Sequence, residues 1–307
     1  MITLNFAAGM QKWLVISCGI LVFFASCEKD IDIPLHETQP ELVVEGSIEN
    51  GRPPIVILTH SLSFFDGLDS QQLASSFVHD ATVEVTDGQQ RTVSLKEYSL
   101  DTTNGNKVYF YSIDTTDRQP LLGIRGGSYR LHIRTGGQTY EATTDIPEQG
   151  IYLDSLWWQP VVVVKPEDTD RVYLTGRLVD PPHRGDAVRY FTRRNNEPFY
   201  APSISVADDQ VTNGSVFDIA FDQGRPKDDP SDDDEPGYFR LGDTVTVKFC
   251  AIDRATYDFW RTWEYAYGNN GNPFSAPVKI LGNIKGAAGY WGGYAAQYKT
   301  IIIPKEE

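Results

Sequence analysis

From Glu41 onward, the chain consists of short segments with the two-residue periodicity of β-strands, separated by turn residues. Successive side chains of a strand point to opposite faces, so an alternating segment buries one face and exposes the other. Seven such segments precede Pro147, at residues 42–48, 55–59, 81–85, 92–95, 108–113, 129–134 and 139–143. Seven short strands within about 100 residues are typical of an immunoglobulin-like β-sandwich.

The last two of these segments form the clearest hairpin. Tyr129, Leu131 and Ile133 share one face of the first strand, and polar side chains occupy the other face. Gly136 and Gly137 follow directly and supply residues suited to a tight turn. The pattern therefore predicts an antiparallel pair that ends shortly before Pro147.

Residues 145–150 predict a joint, because Pro147 cannot donate a hydrogen bond to a sheet. The strand pattern restarts at 153–159, 171–179, 187–192, 216–221 and 244–252, and a helix follows at 254–267 with Asp253 as its cap. A chain of 307 residues is long enough for two domains. We therefore expect a mainly β protein, with an immunoglobulin-like β-sandwich at 41–147 and a second β-rich domain, carrying the amphipathic helix, at 148–307.

The charge balance excludes one class of partner. The chain has 27 Lys and Arg against 42 Asp and Glu, a formal net charge of −15. An excess of negative charge argues against electrostatic binding to nucleic acid or to an anionic membrane.

The N-terminus has the pattern of an export signal. Lys12 precedes an apolar run at 13–24, and the small residues Ala25 and Ser26 follow before Cys27. The run is too short for a membrane span, which needs about 20 residues, and the arrangement is typical of a secretory signal. It resembles the bacterial lipobox, which implies that Cys27 is lipidated. The alternative is an ordinary signal peptide cut nearby, with Cys27 left as a free thiol.

On this interpretation, residues 1–26 are a signal peptide and residues 27–40 a lipidated tether. Met1 and Met10 are both candidate start residues. The acidic stretch at 28–32 resembles the tag that sends Bacteroidota lipoproteins to the cell surface. We therefore expect a lipid-anchored outer-membrane protein at the cell surface, with the leaflet facing the periplasm as the alternative.

The three cysteines have separate fates. Cys18 leaves with the signal and Cys27 carries the lipid, so Cys250 is left without a disulfide partner. Cys250 lies opposite the main apolar row of segment 244–252 and is expected to be small, inert and half-covered. A reactive thiol is the alternative.

The sequence contains no recognisable catalytic motif. It has no nucleophile elbow, no phosphate-binding glycine loop, no helical zinc-protease pair and no closely spaced Cys/His cluster. We therefore expect a protein that is not an enzyme. Paired carboxyl groups for glycoside hydrolysis meet only in the fold, so the sequence does not test for them.

Residues 228–235 form the densest acidic stretch. Carboxylate oxygens suit calcium, so Asp228, Asp229, Asp232 and Asp234 are candidate ligands, although the ordered spacing of an EF-hand loop is missing. The alternative is a solvated loop without metal. Apart from this calcium, no cofactor is expected.

Clustered aromatic residues are candidates for binding a sugar or a peptide. The residues singled out are Trp158, Tyr200, Trp291 and Tyr294. Trp158, Tyr200 and Trp291 each follow another aromatic residue, and adjacent side chains of a strand point to opposite faces. At least one member of each pair is therefore expected in a core or a domain interface.

Several segments together resemble the Bacteroidota lipoproteins of domain of unknown function 4249. The similarity rests on Cys27 with its acidic follow-on and on residues 42–46, 53–59, 78–83, 129–147, 242–245, 272–275, 282–286 and 289–294. The resemblance implies an outer-membrane lipoprotein with an N-terminal immunoglobulin-like domain, often found beside a TonB-dependent transporter. It implies no catalytic residue.

We therefore expect a non-enzymatic, surface-exposed lipoprotein that assists a TonB-dependent receptor in ligand binding or assembly. The alternatives are a surface hydrolase of glycans or peptides and a structural or adhesive module.

Overall fold

The protein is built mainly from β-strands, as a computed structural model shows for residues 40–62, 70–102, 105–114, 116, 118–162, 170–226, 237–270, 272, 275–276 and 278–305. The mainly β class predicted from the sequence is confirmed. The predicted signal peptide, the lipidated tether with Cys27, and the four candidate calcium ligands lie outside the described residues.

The first half of the described chain holds seven strands and a short helix. They are β1 Leu42–Glu49, β2 Ile55–His60, α1 Ser70–Ser76, β3 Thr82–Asp87, β4 Thr92–Asp101, β5 Lys107–Ser112, β6 Ser128–Thr135 and β7 Gln138–Asp145. All seven predicted strands are present, whereas α1 was not predicted. The predicted hairpin is β6–β7, and its turn residues Gly136 and Gly137 have φ of 56° and 74°, as a tight hairpin turn requires.

The second half adds eight strands and a longer helix. They are β8 Tyr152–Pro160, β9 Arg171–Val179, β10 Ala187–Arg194, β11 Val206–Asp208, β12 Val216–Phe221, β13 Phe239–Arg240, β14 Thr244–Ile252, α2 Arg254–Gly268 and β15 Ala288–Ile302. The five strands predicted here are confirmed, as is the helix. The short strands β11 and β13 were not predicted, because two or three residues show no periodicity.

One large sheet contains strands from both halves of the chain. Its order is β11-β10-β14-β15-β1-β2-β5-β4-β3-β6-β7, and β8, β9, β12 and β13 form a second sheet. Within the large sheet β1 pairs in parallel with β15, while β14 pairs antiparallel with β15. All described residues belong to one compact unit, Pro40–Glu307. The boundary at 147/148 and the immunoglobulin-like assignment stay predictions.

One face of the large sheet lies over two apolar cores. The first contains Val44, Ile133 and Trp291, and the second contains Leu174, Phe239 and Phe249. The adjacent aromatic residues Tyr290 and Trp291 point to opposite faces, and Tyr290 packs in a third cluster. The expectation that one member of this pair lies in a core is confirmed.

Helix α2 covers part of the opposite face of the large sheet. Asp253 caps it as predicted: its Oδ1 accepts a hydrogen bond from Thr256 N at 2.8 Å. Its Oδ2 accepts hydrogen bonds from Thr144 Oγ1 at 2.6 Å and Asp145 N at 3.0 Å, which joins the start of α2 to β7. No helix among the described residues has the length and apolar character needed to cross a membrane.

The position of Cys250 differs from the prediction. The side chain is fully buried rather than half-covered, because the cluster beneath α2 covers the second face of β14. Burial raises the pKa of its thiol to about 12. A thiol that stays protonated at neutral pH is a poor nucleophile, which agrees with an inert residue.

Candidate functional site

A pocket of about 330 Å³ lies where α2 crosses the large sheet. Its volume is at the lower end of the range for small-molecule sites. Strands β1, β10 and β15 supply Glu45, Arg189 and Tyr290, and α2 supplies Phe259, Trp260, Trp263 and Glu264. Ala201 and Pro202 add wall residues from the segment between β10 and β11.

Strand register and helix periodicity bring these residues together. Glu45 lies opposite Tyr290 in the parallel pairing of β1 with β15. On α2, Trp263 lies four positions after Phe259 and three after Trp260, so it is a neighbour of both on one side of the helix. The ring of Phe259 stacks on that of Tyr290 with centroids 4.5 Å apart, and the Trp260 ring lies edge-on to Tyr290 at 5.0 Å.

Arg189 is buried and held in a fixed position. Its Nε donates to Ser205 Oγ at 3.1 Å, and its Nη1 donates to the Tyr294 hydroxyl at 3.3 Å. The guanidinium carbon lies 3.3 Å from the centroid of the Trp260 ring and 4.6 Å from that of Phe191. Aromatic faces attract a cation, so these contacts offset part of the cost of burying the charge.

Glu264 is held from the other side of the same network. Ser205 N donates to the two carboxylate oxygens of Glu264 at 3.1 and 3.2 Å, and Ser205 Oγ also donates to this carboxylate. Trp260 Nε1 donates to the Tyr294 hydroxyl at 3.0 Å. Helix α2 is therefore tied to the sheet by polar contacts as well as by ring packing.

Glu45 differs from these polar neighbours, because its carboxyl makes no hydrogen bond to any described residue. Glu45 is exposed, and the pocket walls around it remove part of the hydration of its carboxyl. Burial raises the pKa of Glu45, and the positive charge of Arg189 partly offsets that rise. Glu45 is therefore a group in the pocket with unused hydrogen-bonding capacity.

The four aromatic residues singled out from the sequence lie in different parts of the described structure. Trp158 packs partly buried against the second core, and Trp291 is fully buried in the first. Tyr200 is half-buried and exchanges backbone hydrogen bonds with Thr192. Tyr294 is buried, and its hydroxyl accepts the bonds from Arg189 and Trp260 described above. A ligand role for these four residues stays a prediction.

Sequence reasoning missed Glu45, Arg189, Trp260, Trp263 and Glu264. A signal for two of them exists: Glu45 and Arg189 are charged residues within otherwise apolar strand segments, where a charge is costly unless it is used. On α2, the tryptophans add to a helix face that already buries Phe259. Their meeting point depends on the β1–β15 pairing, which no local pattern encodes.

A second polar cluster lies between β9, β10 and β11. Asp180 and Asp209 are buried, and Asp186 is nearly so. Asp180 Oδ1 and Asp186 Oδ2 have no hydrogen-bond partner among the described residues. Burial raises the pKa of both Asp180 and Asp186, and neighbouring carboxyls add to the rise. No three His, Cys, Asp or Glu side chains in the described part of the chain are grouped so that they could hold a metal ion.

We expect Asp180→Asn to stabilise the protein at neutral pH. The folded state raises the pKa of Asp180 above its ordinary value of 3.8, so it favours the protonated form. The stability from this group is present below pH 3.8 and is lost as pH rises through the raised pKa. Asparagine removes the buried charge, so the urea midpoint should rise at pH 7, and the gain should shrink towards pH 4.

The matched control is Asp154→Asn, which changes an exposed aspartate on β8. Its urea midpoint should stay near that of the unmodified protein at both pH values. The groups acting on Asp180 are Thr212, Asp209, Gly214 and His183. A loss of stability at pH 7 in Asp180→Asn would show that the ionised carboxylate is needed.

Comparison with known proteins identifies a family. The model of the family described as "Domain of unknown function (DUF4249)" matches residues 28–300. The matched range contains every residue of the pocket beneath α2. No match was found among curated proteins.

Proposed function

The chain belongs to the family of domain of unknown function 4249, and from this premise we propose a non-enzymatic outer-membrane lipoprotein that assists a TonB-dependent transporter. Its part would be to bind a small ligand in the pocket beneath α2 and to present it at the membrane. The proposal includes Bacteroidota as the source, a surface-exposed position and an immunoglobulin-like N-terminal region, as the sequence resemblance implies.

The observation that carries the ligand-binding role is the composition of the pocket. Aromatic rings from α2 and β15 form its walls, and a small number of polar groups converge on it. Apolar walls with a few placed polar groups are the usual construction of a small-molecule site. The fixed Arg189–Ser205–Glu264 network means that the site is formed before a ligand arrives, which lowers the cost of binding.

The role of Cys27 is supported by its sequence context. A lipobox cysteine receives a diacylglyceryl group and an N-acyl chain. These three acyl chains, at about 0.8 kcal/mol per buried methylene, would hold the protein at a membrane permanently. Such an anchor confines the protein to two dimensions and raises its effective concentration near a membrane partner.

We expect Cys27→Ser to release the protein from the membrane fraction. Serine carries no thiol for lipid attachment, so incorporation of radiolabelled palmitate should fall to background and the protein should move to the soluble fraction. The control is Cys250→Ala, because Cys250 is buried and should not affect labelling. Labelled, membrane-bound protein in Cys27→Ser would contradict lipidation at this residue.

Co-purification tests the proposed partner. The full-length protein, solubilised from membranes in a mild neutral detergent, should bring down a TonB-dependent transporter that mass spectrometry identifies. Isolation as a lone monomer would favour the structural or adhesive module instead.

A surface hydrolase is the second candidate, because two carboxyl groups, Glu45 and Glu264, line the same pocket. Glycoside hydrolysis uses such a pair, one carboxyl as acid and the other as base or nucleophile. Glu264 is, however, already bonded to Ser205. Turnover of a glycan or peptide library that Glu45→Gln abolishes would favour this candidate over the first.

A further inference from the structure

The polar groups of the pocket beneath α2 differ in how many hydrogen bonds they make to the protein. Arg189 donates to Ser205 and Tyr294, and its guanidinium lies against the Trp260 ring. Glu264 accepts from both Ser205 N and Ser205 Oγ. Glu45 has no hydrogen-bond partner among the described residues. A ligand that completes the site therefore has to supply a donor to Glu45.

The hydration and the neighbours of the Glu45 carboxylate indicate whether the donor should be charged. A carboxylate that has lost part of its hydration is costly unless a cation or strong donors replace the lost water. Arg189 attracts Glu45 electrostatically, but its Nε and Nη1 donate to Ser205 and Tyr294. Charge-assisted bonds to a carboxylate are about twice as strong as neutral ones. A cationic donor therefore suits Glu45 better than a neutral hydroxyl.

The walls of the pocket favour the same kind of ligand. The rings of Phe259, Trp260, Trp263 and Tyr290 line the pocket and suit an apolar or aromatic body. The face of Trp260 is already covered by Arg189, so the position of the ammonium depends on Glu45. The protein as a whole carries a formal net charge of −15, which attracts cations. The cavity volume of about 330 Å³ limits the ligand to a small molecule or to one end of a larger one.

We propose that this pocket binds a small organic cation, a primary ammonium group on an apolar or aromatic body, with the ammonium on Glu45 and the body against Trp263 and Tyr290. The amino terminus of a short peptide has this chemistry, as does a free arylalkylamine. The inference rests on the proposed ligand-binding function and names the class of its ligand.

A sugar fits the site less well. A sugar ring carries several hydroxyl groups, each of which needs a partner once it is removed from water. Arg189 and Glu264 already use part of their hydrogen-bonding capacity within the network, so fewer partners remain for several hydroxyl groups. A polyol would therefore bury hydroxyls with too few partners.

The test is titration calorimetry on the full-length protein in a neutral detergent. Phenethylamine is the probe; 2-phenylethanol, 3-phenylpropionate and cellobiose are the comparison compounds. Phenethylamine should bind about tenfold or more tightly than 2-phenylethanol, because its ammonium makes a charge-assisted hydrogen bond to Glu45 and the hydroxyl of 2-phenylethanol makes a neutral donor's weaker bond. The carboxylate of 3-phenylpropionate should be repelled by Glu45.

Two variants locate the binding. Glu45→Gln should weaken phenethylamine binding about tenfold or more, because it removes the negative charge and keeps the shape. Glu41→Gln is the matched control: Glu41 is exposed, lies four positions earlier and is absent from the pocket, so its affinity should be unchanged. Circular dichroism melting of both variants shows that each is folded.

Three results would overturn the inference. They are equal affinity for phenethylamine and 2-phenylethanol, an unchanged affinity in folded Glu45→Gln, and binding of cellobiose but not of phenethylamine. The last would replace the ligand class and leave the proposed ligand-binding function standing. If the transporter co-purifies but none of the four compounds binds, this inference fails and the partnership remains.

Discussion

Replacing Trp291 by alanine should lower the free energy of unfolding by about 3–5 kcal/mol. The indole is fully buried in the first core, and its Nε1 donates to Tyr129 O at 3.1 Å. It lies directly on Gly46 of β1, where an added Cβ would be 2.7 Å from Trp291 Cε3. Alanine would leave a cavity that these strands cannot close without moving. Urea denaturation followed by fluorescence and circular dichroism measures the loss.

Two further variants separate the contributions of Trp291. Trp291→Phe keeps most of the apolar area but removes the Nε1 donor. It should lower the free energy of unfolding by less than Trp291→Ala does, because it loses one hydrogen bond, worth about 1 kcal/mol, and leaves a smaller cavity. Tyr265→Ala removes an exposed aromatic side chain of α2 and should change stability by about 0.5 kcal/mol or less. Equal losses in Trp291→Ala and Tyr265→Ala would show that the core does not depend on Trp291.

Replacing Gly289 by alanine should destabilise the protein by about 3 kcal/mol or more. Gly289 lies opposite Val44 in the parallel pairing of β1 with β15. An added Cβ would be 1.9 Å from Val44 O, a backbone atom that cannot rotate away. The φ of 99° is also unfavourable for a residue with a side chain. The clash should open the pairing beside the pocket, and urea denaturation reports the loss.

Gly185→Ala is the control for Gly289→Ala. Gly185 has a similar φ of 105°, and an added Cβ there would meet no atom within 4 Å. It should therefore show only the backbone strain, about 1–3 kcal/mol. If both alanine variants lose the same stability, the close approach of β15 to Val44 has no energetic consequence.

The pairing of β1 with β15 stabilises the fold and also forms part of the pocket. Tyr290 lines the pocket from β15, and its neighbours Gly289 and Trp291 hold β15 against β1. Glu45 enters the pocket from β1 one position after Val44. A change that displaces β1 from β15 should therefore weaken ligand binding as well as stability.

Most strands could be predicted because each carries its own evidence. In β6, Tyr129, Leu131 and Ile133 alternate with polar residues, which predicts that their face is buried. All three side chains are buried in the structure. Helix α2 was predicted within a residue of its observed end, since Asp253 supplies a cap and the apolar spacing is helical. Helix α1 and strands β11 and β13 are too short to show a period.

The environment of Cys250 could not be predicted from its strand. The pattern of β14 correctly separates two faces, but it does not state what covers the second one. Helix α2 follows in sequence and folds back over that face, so a residue expected to be half-covered is fully buried. Burial at this level depends on packing between elements, which local periodicity does not contain.

Local patterning was sufficient for the β class, for most strands and helix α2, and for the hairpin turn at Gly136 and Gly137, because each depends on residues close together in the chain. The tertiary structure decided the parallel pairing of β1 with β15 and the crossing of α2 over the large sheet. The β1–β15 pairing joins residues more than 200 positions apart, such as Glu45 and Tyr290. The pocket forms only where these elements meet. Each of its residues is therefore surrounded by residues from other parts of the chain, and a single segment of sequence does not show these neighbours.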